Sequence, residues 1–264
     1  MDLTTFKRLS NPHNITLTEW DQHYIIFRTT NTMSNDGSFI NSPPHALINI
    51  AQIKSTIHSN AKNTLLIGLT GGIATGKTTV AEMFGREGAE IIDFDLLARE
   101  AVEPGTQGLA DIVASFGSGI VDRSGYLNRK ALSQIVFEDT EKRRLLERLI
   151  HPAIFELFCQ KVSCKMVDKI SSEKGKTAII AVIPLLIEMN LQSLFDKLIL
   201  VHVSSEIQLE RLMLREQIDH KRAGTMVKSQ MPIDQKKEYA DFMIDNSSDL
   251  ENTLKQVTYV WKNL

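Results

Sequence analysis

Residues Gly71 to Thr78 constrain this chain more than any other stretch, because their sequence, GGIATGKT, matches the phosphate-binding pattern G-x-x-x-x-G-K-[ST]. An apolar run from Leu65 to Leu69 precedes the pattern and is short enough to be a buried strand. Residues 79–84 follow with apolar side chains at helical spacing. A strand, a glycine-rich turn and a helix in this order predict an α/β fold that binds a nucleotide at the turn.

The residue types of this loop suit a polyphosphate. Glycine lets backbone N–H groups turn inward without a Cβ in the way, and the following helix adds its own unpaired N–H groups and dipole. Lys77 brings a positive charge to the β- and γ-phosphates of ATP, and the Thr78 hydroxyl can bind Mg²⁺. The predicted ATP-binding residues of the loop are Gly71, Gly72, Ala74, Thr75, Gly76, Lys77, Thr78 and Thr79. The alternative is a glycine turn that only caps a helix.

Composition argues against several classes of function. The chain has 264 residues, of which 42% are hydrophobic, and its net charge of -2 gives no basic excess for nucleic acid or an anionic membrane. No apolar run approaches the ~18 residues of a membrane span, and the N-terminus shows no secretory signal. Cys159 and Cys164 have no metal-ligand pattern around them, which favours free thiols in a reducing compartment. We therefore expect a cytoplasmic protein without nucleic-acid or membrane partners.

Two acidic residues close the second predicted strand, which spans Ala89 to Asp95. In an extended chain, positions two apart share one face, so Asp93 and Asp95 are expected to point together into the crevice at the carboxyl ends of a parallel sheet. Ligands bind in that crevice in open α/β folds. The alternative is that the two acids form a turn and the N-cap of a helix over residues 96–102.

Residues 98–165 contain no comparable strand and are predicted to form a helical insert between two strands of the sheet. Such an insert beside a phosphate-binding loop suits an acceptor substrate, although packing alone explains most of its apolar positions. Pro152 is expected to end the helix over residues 141–150, because the residue before a proline avoids the helical region. His151 then either caps that helix or faces the acceptor.

The third predicted strand, Thr177 to Ile183, is followed by Pro184, where a motor-type ATPase often places an aspartate for Mg²⁺. This difference favours a kinase-like site in which the acid comes from Asp93 or Asp95. Two further buried strands are predicted at residues 197–203 and 242–246.

A lid is predicted over residues 211–230, after the start of a helix that Ser205 is expected to cap. Arg211 and Arg215 lie four residues apart and share a helical face, and residues 219–224 form a polar stretch that is expected to be mobile. An arginine brought over the triphosphate would stabilise charge on the phosphoryl group during transfer. The alternative for both arginines is a solvated helix end whose cations complement the helix dipole.

Residues 1–63 differ in composition from the rest of the chain, with frequent Ser, Thr, Asn, His and Pro. They are expected to form a poorly ordered tail or a small appended element, and a start at Met33 is a further alternative. The phosphate-binding domain is expected to span residues 64–264.

Beyond the loop, a series of short motifs follows in a fixed order. They are TGGIATGKTTV (70–80), IDFD (92–95), AR (98–99), VEPGT (102–106), LIHP (149–152), PLLIE (184–188), QMP (230–232), KK (236–237), AD (240–241) and IDN (244–246). In order and spacing, these motifs resemble the dephospho-CoA kinase family over about Leu65 to Trp261. The combination is far more specific than the phosphate-binding pattern alone.

This resemblance implies a P-loop NTPase-type parallel sheet flanked by helices, with a helical substrate-binding insert and a lid. It implies ATP-dependent phosphorylation of the ribose 3′-hydroxyl of dephospho-CoA, the last step of coenzyme A synthesis. ATP and dephospho-CoA are then the partners and Mg²⁺ is the cofactor. A monomer or a small homo-oligomer is expected.

By the same likeness, Asp95 is the general base for the hydroxyl, and Asn246 lies near adenine. Lys77 and Arg215 complete the predicted catalytic set. The acceptor-binding residues are predicted to be Asp93, Asp95, Arg99 and His151.

Two parts of the chain depart from the family pattern. A loop position that is often glycine is Ala74, whose small side chain is expected to be tolerated if its φ is negative. In the lid, Glu216 follows Arg215 where the family usually has Asp or Asn, and residues 225–228 lack an arginine usual in this stretch.

Two other functions stay open from the residues alone. A kinase for another small molecule is opposed by the pair Asp93 and Asp95 combined with the PLL motif at 184–186, and an acceptor screen separates the two. A nucleotide-dependent switch is opposed by the acceptor-sized insert and by the lack of an [NT]-K-x-D motif for guanine.

Overall fold

Apolar runs form the strands of this protein in the computed structural model, which describes residues 24–25, 48–49, 64–137, 139–170 and 177–264. Two-residue strands β1 (Tyr24–Ile25) and β2 (Ile48–Asn49) form an antiparallel pair of their own. The main sheet contains β3 (Thr64–Gly71), β4 (Glu90–Asp93), β5 (Thr177–Val182), β6 (Lys197–His202) and β7 (Phe242–Asp245). All five of its strands are parallel, in the order β4-β5-β3-β6-β7.

Strand β3 lies at the centre of the sheet, with Leu69 opposite Val182 of β5 on one side and Ile199 of β6 on the other. Because the strands are parallel, their carboxyl ends meet at one edge, where ligands bind in open α/β sheets. Packing is close beneath this edge: a Cβ on Gly68 would lie 2.6 Å from Leu186 Cδ1, so a larger residue would require that leucine to shift. The chain leaves β3 at this edge and enters the phosphate-binding loop.

Eight helices are described, and four of them fall between β4 and β5, in agreement with the predicted helical insert. They are α1 (Lys77–Glu87), α2 (Phe94–Glu100), α3 (Gln107–Phe116), α4 (Arg129–Phe137), α5 (Thr140–Ile170), α6 (Ser205–Glu216), α7 (His220–Lys228) and α8 (Leu250–Lys262). Short 3-10 turns occupy residues 118–120, 192–194 and 235–239.

Two apolar cores hold the helices against the sheet. The core on the insert side includes Phe155 and Phe158 of α5, both essentially buried, packed with Ile92 of β4. The other core joins Phe84 of α1 to Val257 of α8. Full burial of one such side chain contributes about 1.5–3 kcal/mol, so these contacts fix the insert and the loop relative to the sheet.

Helix α5 runs through Pro152 without a break, so the predicted helix end before this proline is wrong. Proline has no N–H to donate to the carbonyl of Arg148 and normally interrupts a helix. The next turns, however, carry Ile154, Phe155 and Phe158, which are buried in the core. Their burial offsets the lost hydrogen bond and holds α5 continuous.

The lid region is more regular than expected. Ser204, not Ser205, caps α6 by accepting the N–H of Ile207 at 3.4 Å. The stretch that was expected to be mobile is helix α7, because Asp219 Oδ1 accepts the N–H of Arg222 at 2.7 Å and caps it. The predicted lid of residues 211–230 therefore consists of the end of α6, a short turn and α7.

The expectations for residues 1–63 lie outside the described residues, apart from β1 and β2. Cys159 and Cys164 are free thiols, as predicted. None of the helices that the structure describes has both the length and the apolar character needed to cross a membrane.

Candidate active site

The loop between β3 and α1 bends through two left-handed residues. Gly76 has a φ of 89° and precedes α1, and Ala74 has a φ of 60°. The condition of a negative φ at Ala74 is therefore not met, and the alanine occupies a region where its Cβ costs about 1–2 kcal/mol. Thr75 is fully buried and donates its hydroxyl to the carbonyl of Gly72 at 2.9 Å, which closes the loop on itself. This tight loop at the N-terminus of α1 is the predicted place for a phosphate.

Lys77 folds back across the loop. Its Nζ donates to the carbonyl oxygens of Gly71 at 3.1 Å and Gly72 at 2.8 Å. Burial is the main cause that lowers the pKa of Lys77 to about 8, and the positive charge of Lys236 adds to it. An ammonium with a lowered pKa gains from a nearby anion, so this position favours a bound polyphosphate.

Asp93 and Asp95 lie at the carboxyl end of β4, but not as two alternating strand residues. The strand ends at Asp93, whose Oδ1 accepts the N–H of Asp95 at 2.8 Å and caps α2. The predicted strand over 89–95 is therefore too long, and capping is the observed role of Asp93. Asp95 stands in the first turn of α2, exposed to solvent and within electrostatic range of Lys77. Partial desolvation, followed by the charge of Asp93, raises the pKa of Asp95.

A cavity of about 330 Å³ opens beside the loop and brings together predicted ATP-binding and lid residues. Its lining is Ala74, Gly76, Thr79, Arg211, Arg215, Asn246, Ser248 and Leu250. Arg215 is close enough to help lower the pKa of Lys77, and its Nε donates to Glu216 at 2.9 Å. Arg211 donates to the backbone carbonyl of Asn246 at 2.9 Å. Both lid arginines thus face the side where the loop would hold a nucleotide.

Asn246 braces the loop with its side chain. Its Nδ2 donates to the carbonyl of Thr75 at 2.9 Å, and its Oδ1 accepts the hydroxyl of Thr253 at 2.9 Å. A Cβ on Gly76 would lie 2.2 Å from that Nδ2, so the close approach requires glycine there. The contact of Asn246 with adenine stays a prediction. The position of Asn246 in the cavity wall is compatible with such a contact.

The predicted acceptor residues on the helical insert are less strongly connected to the loop. His151 lies within α5 and not at its end, so the alternative in which His151 caps a helix is wrong. Burial lowers the pKa of His151, which favours a neutral imidazole. Arg99 is exposed near the end of α2, where its charge acts to lower the pKa of Asp95 against the larger effect of burial. Contacts of these residues with an acceptor stay predictions.

One feature that sequence reasoning missed is a buried ion pair beside Lys77. Lys236 has no exposed surface, and its Nζ lies 2.7 Å from Glu188 Oε1. The other oxygen of Glu188 is buried and has no hydrogen-bond partner in the part of the chain that the structure describes. No local pattern marks a buried lysine; the available signal was that Glu188 and Lys236 both fall in motifs of the resemblance.

Two glutamines in contact with the loop were also missed. Gln230 Oε1 accepts the N–H of Ile73 at 2.8 Å, and Gln208 Nε2 donates to the carbonyl of Ile73 at 2.8 Å. These contacts join residues 157 and 135 positions apart, which no local sequence pattern can reveal.

The chemistry around Thr78 fits Mg²⁺. Its side chain is exposed in the first turn of α1, and its hydroxyl hydrogen-bonds to none of the described residues. Oxygen ligands are those that Mg²⁺ prefers, and the ion usually keeps several waters and substrate phosphates. Among the described residues, no group of three or more His, Cys, Asp or Glu is arranged to hold a metal, so an ion here would rely on phosphates and water.

Comparison with known protein families finds close similarity over the part of the chain that contains this site. A family model described as CoaE: Dephospho-CoA kinase matches residues 65–252. A dephospho-CoA kinase of Halalkalibacterium halodurans is 42% identical over 198 residues, which are 75% of this chain and 96% of that protein. One of Bacillus licheniformis is 41% identical over 204 residues, covering 76% of this chain and 98% of that protein.

Solved structures agree on the architecture. TT1252 from Thermus thermophilus matches with a TM-score of 0.63 at 26% identity, over 76% of this chain and 98% of that one. A dephospho-CoA kinase from Campylobacter jejuni matches with a TM-score of 0.53 at 24% identity, over 76% and 97% of the two chains. These likenesses support the parallel sheet with its flanking helices.

Proposed function

This chain belongs to the dephospho-CoA kinase family, and on that basis we propose that it transfers the γ-phosphoryl group of ATP to the ribose 3′-hydroxyl of dephospho-CoA. The products are coenzyme A and ADP, and the reaction is the last step of coenzyme A biosynthesis. The observation that carries the proposal from the geometry is that Asp95 lies within electrostatic range of Lys77 at the carboxyl edge of the sheet. A carboxylate and a phosphate-binding cation placed so can hold a hydroxyl and a triphosphate between them.

The loop holds the phosphates of ATP. Backbone N–H groups of the loop and of the first turn of α1 bind phosphate oxygens, and the helix dipole adds to the attraction. When ATP binds, Lys77 Nζ leaves the carbonyls of Gly71 and Gly72 and pairs with the β- and γ-phosphates. Its two neutral hydrogen-bond acceptors are then replaced by charged phosphate oxygens. The cavity beside Asn246 takes the nucleoside.

Asp95 orients the acceptor hydroxyl and accepts its proton as the phosphoryl group transfers. Its place in the first turn of α2 leaves the carboxylate open to solvent and therefore to an acceptor. A carboxylate is a weak base, so most of its contribution is expected to come from positioning the oxygen in line with the γ-phosphorus.

Charge that develops on the transferring group is stabilised from the lid. Arg215 exchanges its contact with Glu216 for the phosphates when the lid closes over the nucleotide. Thr78 would hold Mg²⁺, which neutralises phosphate charge when it is bound. The helical insert, with Asp93, Arg99 and His151, binds the acceptor.

The test is release of ADP by the purified protein with and without dephospho-CoA. We expect ADP to form in equal amounts with coenzyme A, only when dephospho-CoA is present. ADP release that requires a different alcohol would assign the protein to another acceptor, and ATP binding without transfer to any acceptor would favour a nucleotide-dependent switch. The two free thiols support the further proposal that the protein acts in the cytoplasm. We also propose that it works as a monomer or a small homo-oligomer.

A further inference from the structure

The two ends of the lid meet on the backbone of one residue of the phosphate-binding loop, Ile73. Gln208 lies on α6, three residues before the lid begins, and Gln230 is the last residue of the lid. Both side chains reach the backbone of Ile73, each with a 2.8 Å hydrogen bond. The lid is therefore anchored to the loop at its entrance and at its exit.

The backbone dictates which end of each amide faces Ile73. A peptide N–H can only donate and a peptide carbonyl can only accept, so Gln230 must present its oxygen and Gln208 must present its NH₂ group. The two glutamines therefore have opposite chemical requirements although they hold the same residue. A carboxylate can replace the side-chain amide of Gln230, which accepts, and cannot replace that of Gln208, which donates.

The contacts leave little room for adjustment. Gln208 is 2% exposed, and a Cβ on Gly72 would lie 2.1 Å from its Nε2, so the loop fits tightly against this amide. On the other side, the N–H of Met231, next to Gln230, donates to Glu188 Oε1 at 3.1 Å. Glu188 is the partner of the buried Lys236, so the exit of the lid is tied to the charges that act on Lys77.

Ile73 lies in the part of the loop that is proposed to bind the phosphates. On one side of it, the carbonyl of Gly72 holds Lys77 Nζ at 2.8 Å. On the other side, Ala74 adopts the left-handed conformation that shapes the loop. A shift of the Ile73 backbone would therefore move both the Gly72 carbonyl that Lys77 contacts and the backbone that faces the phosphates.

We propose that Gln208 and Gln230 are positioning residues that clamp the backbone of Ile73 from its two sides and couple the two ends of the lid to nucleotide binding. The inference rests on the proposed role of the loop in holding the triphosphate. When the clamp is intact, the loop is held ready for phosphates and the lid is hinged on it. When one contact is lost, the loop binds nucleotide less tightly and the lid loses that anchor.

A pair of equal charge changes tests this clamp. Gln208→Glu and Gln230→Glu each add one negative charge beside Ile73. Only Gln208→Glu places a carboxylate oxygen against the carbonyl oxygen of Ile73. We expect Gln208→Glu to weaken the binding of a non-hydrolysable ATP analogue, measured without acceptor, at least tenfold more than Gln230→Glu does. Gln235→Ala is a control for substitution of a glutamine that does not contact the loop, since Gln235 is exposed in the 3-10 turn after the lid, and the affinity of this variant should equal that of the wild-type protein.

Equal affinities in the two glutamate variants would overturn the clamp while leaving the proposed function standing, whereas a wild-type protein that binds no ATP analogue would overturn both. If Gln208→Glu fails to fold, Gln230→Met provides the decision, because methionine has similar length and cannot accept the N–H of Ile73 in this way. That variant should raise KM for ATP at least fivefold at a temperature well below its unfolding transition, with a smaller change in kcat. An unchanged KM for ATP in Gln230→Met would refute the coupling.

Discussion

Ala74 carries the main backbone strain that the structure shows in the loop. Its φ of 60° is costly for any residue with a Cβ, by about 1–2 kcal/mol. Glycine would remove that cost but lose more conformational entropy on folding, which offsets part of the gain. We therefore expect Ala74→Gly to raise the free energy of unfolding by about 0.5–1 kcal/mol, as measured by urea denaturation.

The same substitution at an ordinary helical position serves as its control. Ala110 is exposed within α3, where glycine should lower the free energy of unfolding by about 0.5–1 kcal/mol. The two changes are chemically identical, and only the backbone conformation predicts opposite signs. A loss of stability in Ala74→Gly comparable to that in Ala110→Gly would contradict the strain assigned to Ala74.

Lys77 makes nucleotide binding depend on pH. Because burial lowers its pKa to about 8, the ammonium is charged below that pH and loses its proton above it in the free protein. A bound triphosphate favours the charged form, so binding above pH 8 must take up a proton and affinity must fall. We expect the affinity for an ATP analogue to fall roughly tenfold per pH unit above the pKa of Lys77, as measured by calorimetry between pH 7.5 and 9.5.

Lys77→Arg gives the matched control for this profile. Arginine keeps its charge over the whole range, so this variant should show a nearly flat dependence of affinity on pH, whatever its absolute affinity. Calorimetry in buffers of different ionisation enthalpy should also show proton uptake at pH 8.5 for the wild-type protein and none for the variant. A flat wild-type profile would mean that Lys77 does not bind the phosphates.

Asp95 is predicted to act on turnover and not on nucleotide binding. Removing its charge should lower kcat by about 10²–10⁴, the range found for positioned acid–base groups, with KM for ATP changed less than threefold. The Asp95→Asn variant tests this by steady-state kinetics with both substrates, and Glu82→Gln on the exposed face of α1 is the control. Turnover near the wild-type rate in Asp95→Asn would remove Asp95 from the mechanism.

At the scale of elements, the strands were predictable because buried parallel strands are short apolar runs bounded by polar residues. The runs beginning at Thr177 and Lys197 became β5 and β6 with ends that differ by one residue from the prediction. Helix α5 was not predictable in the same way, since the local signal at Pro152 favours a break while the packing of Phe155 and Phe158 favours continuity. Tertiary burial decided the outcome.

The candidate site likewise has a part that the local sequence predicts and a part that depends on tertiary structure. The loop from Gly71 to Thr78 is contiguous, so its pattern reveals its shape and chemistry directly. Asp95 was identified with the wrong local geometry, because a strand pattern and a capped helix start look alike over a few residues. Gln208, Gln230 and Lys236 act across more than a hundred residues of sequence from the loop, so only the fold reveals them.

The lid helix α7 depends on its cap. It has nine residues, and Ala223 is the one fully buried side chain among them. A helix this short is marginal without tertiary support, so the bond from the Arg222 N–H to Asp219 Oδ1 is a large part of what orders it. Asp219→Ala should cost about 1 kcal/mol locally and speed hydrogen exchange of α7 amides about fivefold.

The lid substitution is expected to leave the rest of the molecule unchanged. Amides of β3 and β6 should keep their exchange rates, because the hydrogen bond of the cap joins two residues of the predicted lid. Asp219→Asn is the control, since asparagine caps helices about as well as aspartate, and its α7 amides should exchange at the wild-type rate. Equal exchange in Asp219→Ala and wild-type protein would show that α7 is held by packing and not by its cap.

At the scale of the whole molecule, the kinase and the N-terminal region are separable in sequence. The family model begins at residue 65, and two relatives are covered over 96% and 98% of their length by about three quarters of this chain. Strands β1 and β2 pair with each other and form no part of the five-stranded sheet. All the predicted site residues, from Gly71 to Asn246, belong to the later part.

A shortened protein of residues 60–264 should therefore fold and act as a kinase. We expect its kcat/KM for dephospho-CoA to lie within about twofold of the full chain and its free energy of unfolding within about 1 kcal/mol, because no core residue of the described domain is removed. Removal of residues 250–264 is the contrasting truncation, since it deletes α8 with Val257 and Val260 and exposes the core around Phe84 that they cover, and it should abolish folding. If the shortened protein folds with native stability but loses more than tenfold in kcat/KM, residues 1–59 contribute to catalysis and the separation of the two parts is wrong.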